Sequence, residues 1–388
     1  MENFEFYNPT HIVFGKGTRE KVGSTLKQHN GHRVLLHYGG GSIKRYGLYD
    51  TIVKQMEEHG IEYVELGGVK PNPRLSLVRE GIRICREQGV DFILAVGGGS
   101  VIDSAKAIAM GVPYEGDVWD FYTGKADPET VLPVGVVLTI PAAGSEASTG
   151  SVITSEDGWY KRAHNSLLII PRFAVMDPEL TYTLPAFQTA AGAADIMAHV
   201  IERYFTNVKH VDLTDRLCES TLRTVMKHVP FVLKDPDNYD ARAEIMWAGT
   251  IAHNNLLNTG RIGDWASHDM EHELSGIYDV AHGAGLAVMI PAWMTYVYKH
   301  DLDRFVQFAM RVFDVEYDFD DPERTALMGI ARLKAYFQST GLAVTLEGLD
   351  IGEDRLEEMA RKCAGEHTIG NFVKLGEKDV LNIYRLAR

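Results

Sequence analysis

Cysteine is scarce in this chain: Cys85, Cys218 and Cys363 are the three that occur among 388 residues, and they stand far apart. With no CxxC pair, a cysteine-held zinc site and a disulfide scaffold are both excluded, and the thiols are expected reduced, as in the cytoplasm. Long apolar runs are absent too. None reaches the roughly 18 residues that a membrane span needs, and the opening residues, with polar Asn3, Glu5 and Asn8, lack the basic and apolar regions of a secretion signal. A cytoplasmic protein with no membrane partner is therefore expected. Positive charge is in deficit, 39 Lys and Arg against 53 Asp and Glu, a net of −14. That field repels a phosphate backbone, so nucleic acid is not an expected partner. A small anionic cofactor stays open, because backbone amides and a local cation hold phosphate against it.

What is present is a globular composition, 45% hydrophobic and 24% charged, with length for two or three domains at about 150 residues each. Arg33–Tyr38, Ile61–Leu66, Asp91–Val96 and Leu132–Ile140 are apolar or β-branched runs that predict strands. Between them Ser42–His59, Pro73–Gln88 and Ser100–Met110 carry apolar residues at helical spacing. This alternation predicts a parallel sheet covered by helices. From about Pro185 the character changes, and Ala186–Phe205, Asp212–Lys227, Ala241–Asn258 and Leu356–Cys363 repeat the helical period. The expected organisation is an α/β domain over residues 1–185 and an all-α domain over 186–388. Phe4–Phe14 is strand-like, suited either to pairing with a second subunit or to an edge covered within one chain.

Three glycine loops follow the expected strands. Gly97-Gly98-Gly99-Ser100 stands between a buried strand and a helix, where a backbone without Cβ atoms lets a pyrophosphate approach free amides and the positive end of the helix. Ser100 and Asp103 also fit a capping box. The strict GxGxxG fingerprint fails, since Ile102 stands at its third glycine. A second triplet, Gly39-Gly40-Gly41-Ser42, follows Tyr38, where dinucleotide folds usually keep an acidic residue for the adenosine ribose. None is present, and the nearby Lys44 and Arg45 leave room for a 2′-phosphate. The third loop, Thr139 to Glu146, supplies small polar groups.

Carboxylate and imidazole gather in the helical half. Asp195 and His199 are i, i+4 neighbours on one helix face, His268 and His272 repeat that spacing, and His282 follows in Ala281-His282-Gly283. These five are potential ligands of one divalent ion, with Fe(II) and Zn(II) both suited to such donors. HExxH is absent, which disfavours a zincin protease. His164 and His253 have no partner at ligand spacing and read as structural.

Taken together, Gly97–Ser100 with Asp103 and Lys106, the Thr139–Glu146 loop, Asp177-Pro178-Glu179-Leu180 with Leu184-Pro185, Asp195, His199, His268, His272 and His282 resemble the iron-containing (group III) alcohol dehydrogenases. Within that family the chain is most similar to the butanol dehydrogenase and broad-specificity aldehyde reductase branch. The resemblance implies an N-terminal Rossmann-like dinucleotide-binding domain and a C-terminal helical metal-binding domain, a plan shared with dehydroquinate synthase. It implies Asp195, His199, His268 and His282 as the metal ligands, which leaves His272 beside the ion, to relay a proton or to buttress the ligand helix. It further implies Gly97, Gly98, Gly99, Ser100 and Asp103 at the pyrophosphate, Thr139 and Ser145 on the nicotinamide side, Asn72 near the adenosine, and Lys161 near the cofactor. Gly39, Gly40, Gly41 and Ser42 match the branch that uses NADP(H), with NAD(H) as the second cofactor, and a homodimer is implied. The expected reaction is hydride transfer between NAD(P)H and short-chain aldehydes. A polyol dehydrogenase shares the plan. So does a dehydroquinate synthase-type lyase, but its anionic substrate calls for Lys and Arg, and Ser267–Met294 has neither.

Overall fold

The apolar runs of the first half become parallel strands. β1 (His11–Phe14), β2 (Arg33–Tyr38), β3 (Glu62–Leu66), β4 (Phe92–Gly97), β5 (Val134–Leu138) and β8 (Phe173–Met176) form one sheet in the order β1-β8-β5-β4-β2-β3. All five pairings are parallel. Every residue of β4 and β5 is buried, as in a sheet with helices on both faces. Those helices are α1 (Val22–Gln28), the short α2 (Ser42–Arg45), α3 (Leu48–Glu58), α4 (Leu75–Gln88), α5 (Gly99–Gly111) and the short α6 (Trp119–Tyr122). β6 (Gly150–Ser155) and β7 (Tyr160–Asn165) form a separate antiparallel hairpin. The computed structural model describes all of residues 1–388 and divides into two bodies, Tyr7–Leu184, and Pro185–Arg388 together with Met1–Phe6.

Three expectations change in the first body. The helix expected over Ser42–His59 is two, because Gly47 takes φ 76°, a left-handed value that ends one helix and starts the next. The strand-like Phe4–Phe14 forms a strand only from His11, paired with β8 of its own chain. Ser100 and Asp103 make no capping box: α5 starts one residue earlier, capped by Gly98, and the Asp103 carboxylate is drawn to Ser145 and Val152 instead.

The second body is helical: α7 (Ala186–Tyr204), α8 (Asp212–Lys234), α9 (Tyr239–His253), α10 (Ala266–Tyr278), α11 (His282–Val297), α12 (Leu302–Phe313), α13 (Pro322–Ser339), α14 (Leu356–Cys363) and α15 (Glu377–Leu386). α7 is its central element, buried at every position from Thr189 to Tyr204. Ala190, Ala191, Gly192, Ala193, Ala194 and Ala198 keep it thin, so neighbouring helices approach its backbone closely. α8 runs past Lys227 to Lys234 in spite of Pro230, and α9 stops at His253, short of Asn258, where Asn255 adopts φ 72°. Met1–Phe6 are fastened to this body: the Met1 amine donates to the Lys209 carbonyl at 2.8 Å and the Glu2 N–H to Gly260 at 2.9 Å. None of the helices is long and apolar enough to cross a membrane.

Candidate active site

The strand order reverses between β2 and β4, with β3 outside β2 on one side and β5 and β8 outside β4 on the other. In open α/β sheets ligands bind at the carboxyl ends of the strands flanking such a reversal. The two glycine triplets occupy those ends: Gly39–Ser42 follows β2 and Gly97–Ser100 follows β4. A Cβ at Gly98 would lie 2.9 Å from that of Ile140, and one at Gly97 2.5 Å from Val101, so both positions demand glycine. Gly40 and Gly41 face open space. The first amides of α5 have no carbonyl within the helix to serve, which leaves them for an anion. Thr139 is half-buried with its N–H bonded to the Gly97 carbonyl at 3.0 Å, which draws the third loop against the second.

Two buried charged side chains fix that third loop. Lys106 on α5 is fully buried, and its ammonium donates to Ser145 Oγ at 3.0 Å, the Ser148 carbonyl at 2.9 Å and the Gly150 carbonyl at 2.8 Å. Asp103, one turn earlier, accepts from Ser145 Oγ at 2.6 Å and from the Val152 N–H at 3.0 Å. Burial pulls the Lys106 amine down to about 8, opposed by the Asp103 and Glu146 charges, and pushes the Asp103 carboxyl up, opposed first by Lys106. Asp103 and Ser145 thus hold the loop's shape from inside. Lys161 is buried on β7, opposite Thr154. Asn72 is buried at φ 53°, its carbonyl accepting from Arg74 at 2.6 Å. Lys44 is already engaged, 3.3 Å from Glu65 and over the rings of Tyr38 and Tyr49.

In the helical body, Asp195 from α7, His268 from α10 and His282 at the start of α11 bring one donor atom each to within 4.8 Å of one another. His199 lies alongside, its Nε2 3.4 Å from Asp195 Oδ1 and its ring 4.6 Å from that of His268. Asp195, His199 and His268 are buried and His282 is partly exposed. Burial, then the neighbouring His253 and His268, hold the His199 ring far below the usual histidine range, so it is neutral and able to donate a lone pair. One of its nitrogens, Nδ1, is buried without a hydrogen-bond partner. Imidazoles converging on a buried carboxylate, with no Lys or Arg from Ser267 to Met294, are a donor set that fits a divalent transition metal. His272 is half-buried, its ring 5.7 Å from that of His282.

Sequence reasoning missed three groups here. His253, read above as structural, has its Nδ1 3.3 Å from His199 Nε2. It comes from the end of α9, and no spacing along the chain connects it to His199. Glu202 accepts from the His268 ring, and Glu271 from the ring of His282. Each stands three residues after a candidate histidine, in His199-Val200-Ile201-Glu202 and His268-Asp269-Met270-Glu271, a spacing that marks the glutamates but not the histidine each one serves.

A nucleotide-type sheet with glycine loops at its reversal, and a carboxylate–imidazole cluster in a helical body, define a class: the metal-centred dehydrogenases. Comparison with known proteins sharpens this. The family model for iron-containing alcohol dehydrogenases matches residues 9–178, and that for the C-terminal part of the Fe-containing alcohol dehydrogenase family matches 189–388. The chain is 46% identical to the probable NADH-dependent butanol dehydrogenase 1 of Bacillus subtilis (strain 168), with 100% of each chain covered. It is 36% identical to the NADPH-dependent aldehyde reductase of Escherichia coli (strain K12), also over 100% of each. The structure of NADH-dependent butanol dehydrogenase A from Thermotoga maritima matches with a TM-score of 0.96 at 42% identity, covering 100% of this chain and 99% of that one. The chain belongs to the iron-containing alcohol dehydrogenase family. It is an NAD(P)H-linked oxidoreductase of the alcohol dehydrogenase and aldehyde reductase type.

Proposed function

We propose that this protein reduces short-chain aldehydes to primary alcohols, as a butanol dehydrogenase, with one divalent metal held by Asp195, His199, His268 and His282. The observation that carries the reading is the convergence of Asp195, His268 and His282 from three helices to within 4.8 Å. A divalent ion there supplies Lewis acidity towards a carbonyl oxygen, and the nicotinamide supplies the hydride. The ion is Fe(II), with Zn(II) able to replace it, since both accept carboxylate and imidazole. The protein's part is to hold these groups still. The amides at Gly97–Ser100 take the pyrophosphate, with Asp103 and Lys106 fixing the neighbouring loop that carries Thr139 and Ser145. Asn72 serves the adenosine end and Lys161 stands near the cofactor. His272, half-buried beside His282, passes a proton from solvent to the substrate oxygen as the alcohol forms, and takes it back in the reverse direction, a role that suits an imidazole.

The missing acid after Tyr38 favours NADPH, with the exposed turn Gly40–Ser42 receiving the 2′-phosphate. NADH is the second reading, favoured by the names of the butanol dehydrogenase relatives and by the engagement of Lys44 with Glu65. The scarcity of cysteine supports a cytoplasmic site of action, and the family resemblance a homodimer. The test is steady-state reduction of butyraldehyde with NADPH and NADH on metal-stripped protein, before and after adding Fe(II) or Zn(II), in the natural chain and in His268→Ala. Turnover restored by metal in the former alone is expected. Full metal occupancy and normal turnover in His268→Ala would refute the ligand set.

A further inference from the structure

We infer that Glu202 and Glu271 are positioning residues, each of which orients a histidine on another helix so that the Nε2 atoms of His268 and His282 face the metal. This rests on the ligand reading above. His268 Nδ1 lies 2.9 Å from Glu202 Oε1, and His282 Nδ1 is bonded to Glu271 Oε2. Both carboxylates are buried, at 1% and 0% exposure. A carboxylate only accepts hydrogen bonds, so the proton of each neutral ring must sit on Nδ1 and the lone pair on Nε2. The glutamates therefore select the tautomer as well as the rotamer, as carboxylates behind metal-binding histidines do.

The arrangement is a chain across three helices. Glu202 on α7 serves His268 on α10, and Glu271 on α10 serves His282 on α11. Each glutamate sits three residues after a histidine of its own helix yet turns to a histidine of another. Both are themselves held. Glu202 accepts the Trp265 N–H at 2.8 Å and the His268 N–H at 3.0 Å, closing the first turn of α10. Glu271 accepts from Ser275 Oγ, and its Oε1 occupies the place where a side chain at Gly285 would begin, 2.6 Å from an added Cβ. A change on one helix is thus felt at the histidine of another.

Because Glu202 also caps α10, Glu271 gives the cleaner test. Competition with a chromophoric chelator measures Zn(II) affinity in the natural protein, Glu271→Gln, Glu271→Leu and His268→Ala. Glu271→Leu should bind Zn(II) about 10- to 100-fold more weakly. Glu271→Gln, whose amide oxygen can still accept from Nδ1–H and whose NH2 can donate to Ser275, should fall between them and secures the result if the leucine variant folds poorly. Nitrogen NMR of the metal-free protein reads the tautomer directly: Nδ1-protonated for His282 in the natural chain, with an Nε2-protonated population appearing in the leucine variant. Unchanged Zn(II) affinity and tautomer in both Glu271 variants, while His268→Ala loses Zn(II), would overturn the inference and leave the metal site standing. If His268→Ala also keeps its Zn(II), the ligand reading fails and the inference falls with it.

Discussion

Gly283 follows His282, and its position sets how closely α11 can approach α7. A Cβ added there would lie 1.8 Å from the Ala191 carbonyl oxygen, 2.7 Å from its carbon and 3.2 Å from Asp195 Cβ. The obstruction is backbone, so no side-chain rotation relieves it. Gly283→Ala must drive the two helices apart by about 1.5 Å to restore ordinary contact. Overpacking of this kind costs roughly 1–3 kcal/mol, and with backbone on the far side the upper end is expected. At about 2–4 °C per kcal/mol for a body of this size, the melting temperature should fall by roughly 5–10 °C. The functional loss should be larger, because a site needs its groups held within about 0.5 Å and a misplacement near 1 Å can cost about 100-fold in rate. His282 and Asp195 stand on the two helices being separated. Calorimetry with elemental analysis checks this, against Gly40→Ala, whose Cβ would meet nothing within 4 Å. A Gly283→Ala protein with unchanged melting temperature and full metal would refute the packing argument.

Lys106→Met should destabilise the protein by about 3 kcal/mol in urea unfolding, because it leaves the buried oxygens of Ser145, Ser148 and Gly150 without their donor; a loss under about 1 kcal/mol would contradict the role of Lys106 in holding the loop. His37, buried between the Leu66 carbonyl and Ser104 Oγ at 2.8 Å each, is pulled down by burial to about 4. Below its ordinary value of 6.5 the unfolded chain takes a proton that the folded one refuses. Its stabilising share is therefore present above pH ~6.5 and lost as pH falls towards about 4, a change of about 3 kcal/mol. Denaturant titrations at several pH values should show a shallower acid slope in His37→Asn, and an identical slope would exclude His37 as the cause. Gly39→Asp has room, 3.4 Å from the Val69 carbonyl and 3.7 Å from Val101, so it tests charge and not packing. NADPH affinity should fall roughly tenfold or more relative to NADH, and an unchanged ratio by fluorescence titration would remove the 2′-phosphate from this turn.

The parts legible in the sequence are those whose geometry is set by covalent neighbours. Arg33–Tyr38 is a strand over the expected residues, and the loop after β4 lies between strand and helix because Ala95-Val96 and Ser100-Val101 bracket the glycines. The alternation of elements carried the parallel sheet. Two errors have different causes. Gly47 breaks a helix whose apolar period runs through it, a local effect, whereas Asp103, which fits a cap by spacing, is held elsewhere by Ser145 and Val152, residues that folding brings up to it.

The helical cluster shows where such reading stops. Spacing at i, i+4 puts Asp195 with His199 and His268 with His272 on common faces, but it cannot say which of two same-face residues looks inward at a third helix. That is decided by α7 being thin enough for α11 to rest on its backbone at Gly283, and the decision brings His282 to Asp195 while His272 stays to the side. Glu202 and Glu271 escaped for the same reason. Each is read locally as a polar residue on its own helix, whereas its function belongs to the adjoining one, and nothing periodic along a chain encodes a relation between helices. His253 is the extreme case, 54 residues from the ring it meets. Histidines and the glutamates behind them are therefore best sought as pairs: where HxxE recurs on two buried helices, each glutamate should be tested against a histidine of another helix before its own.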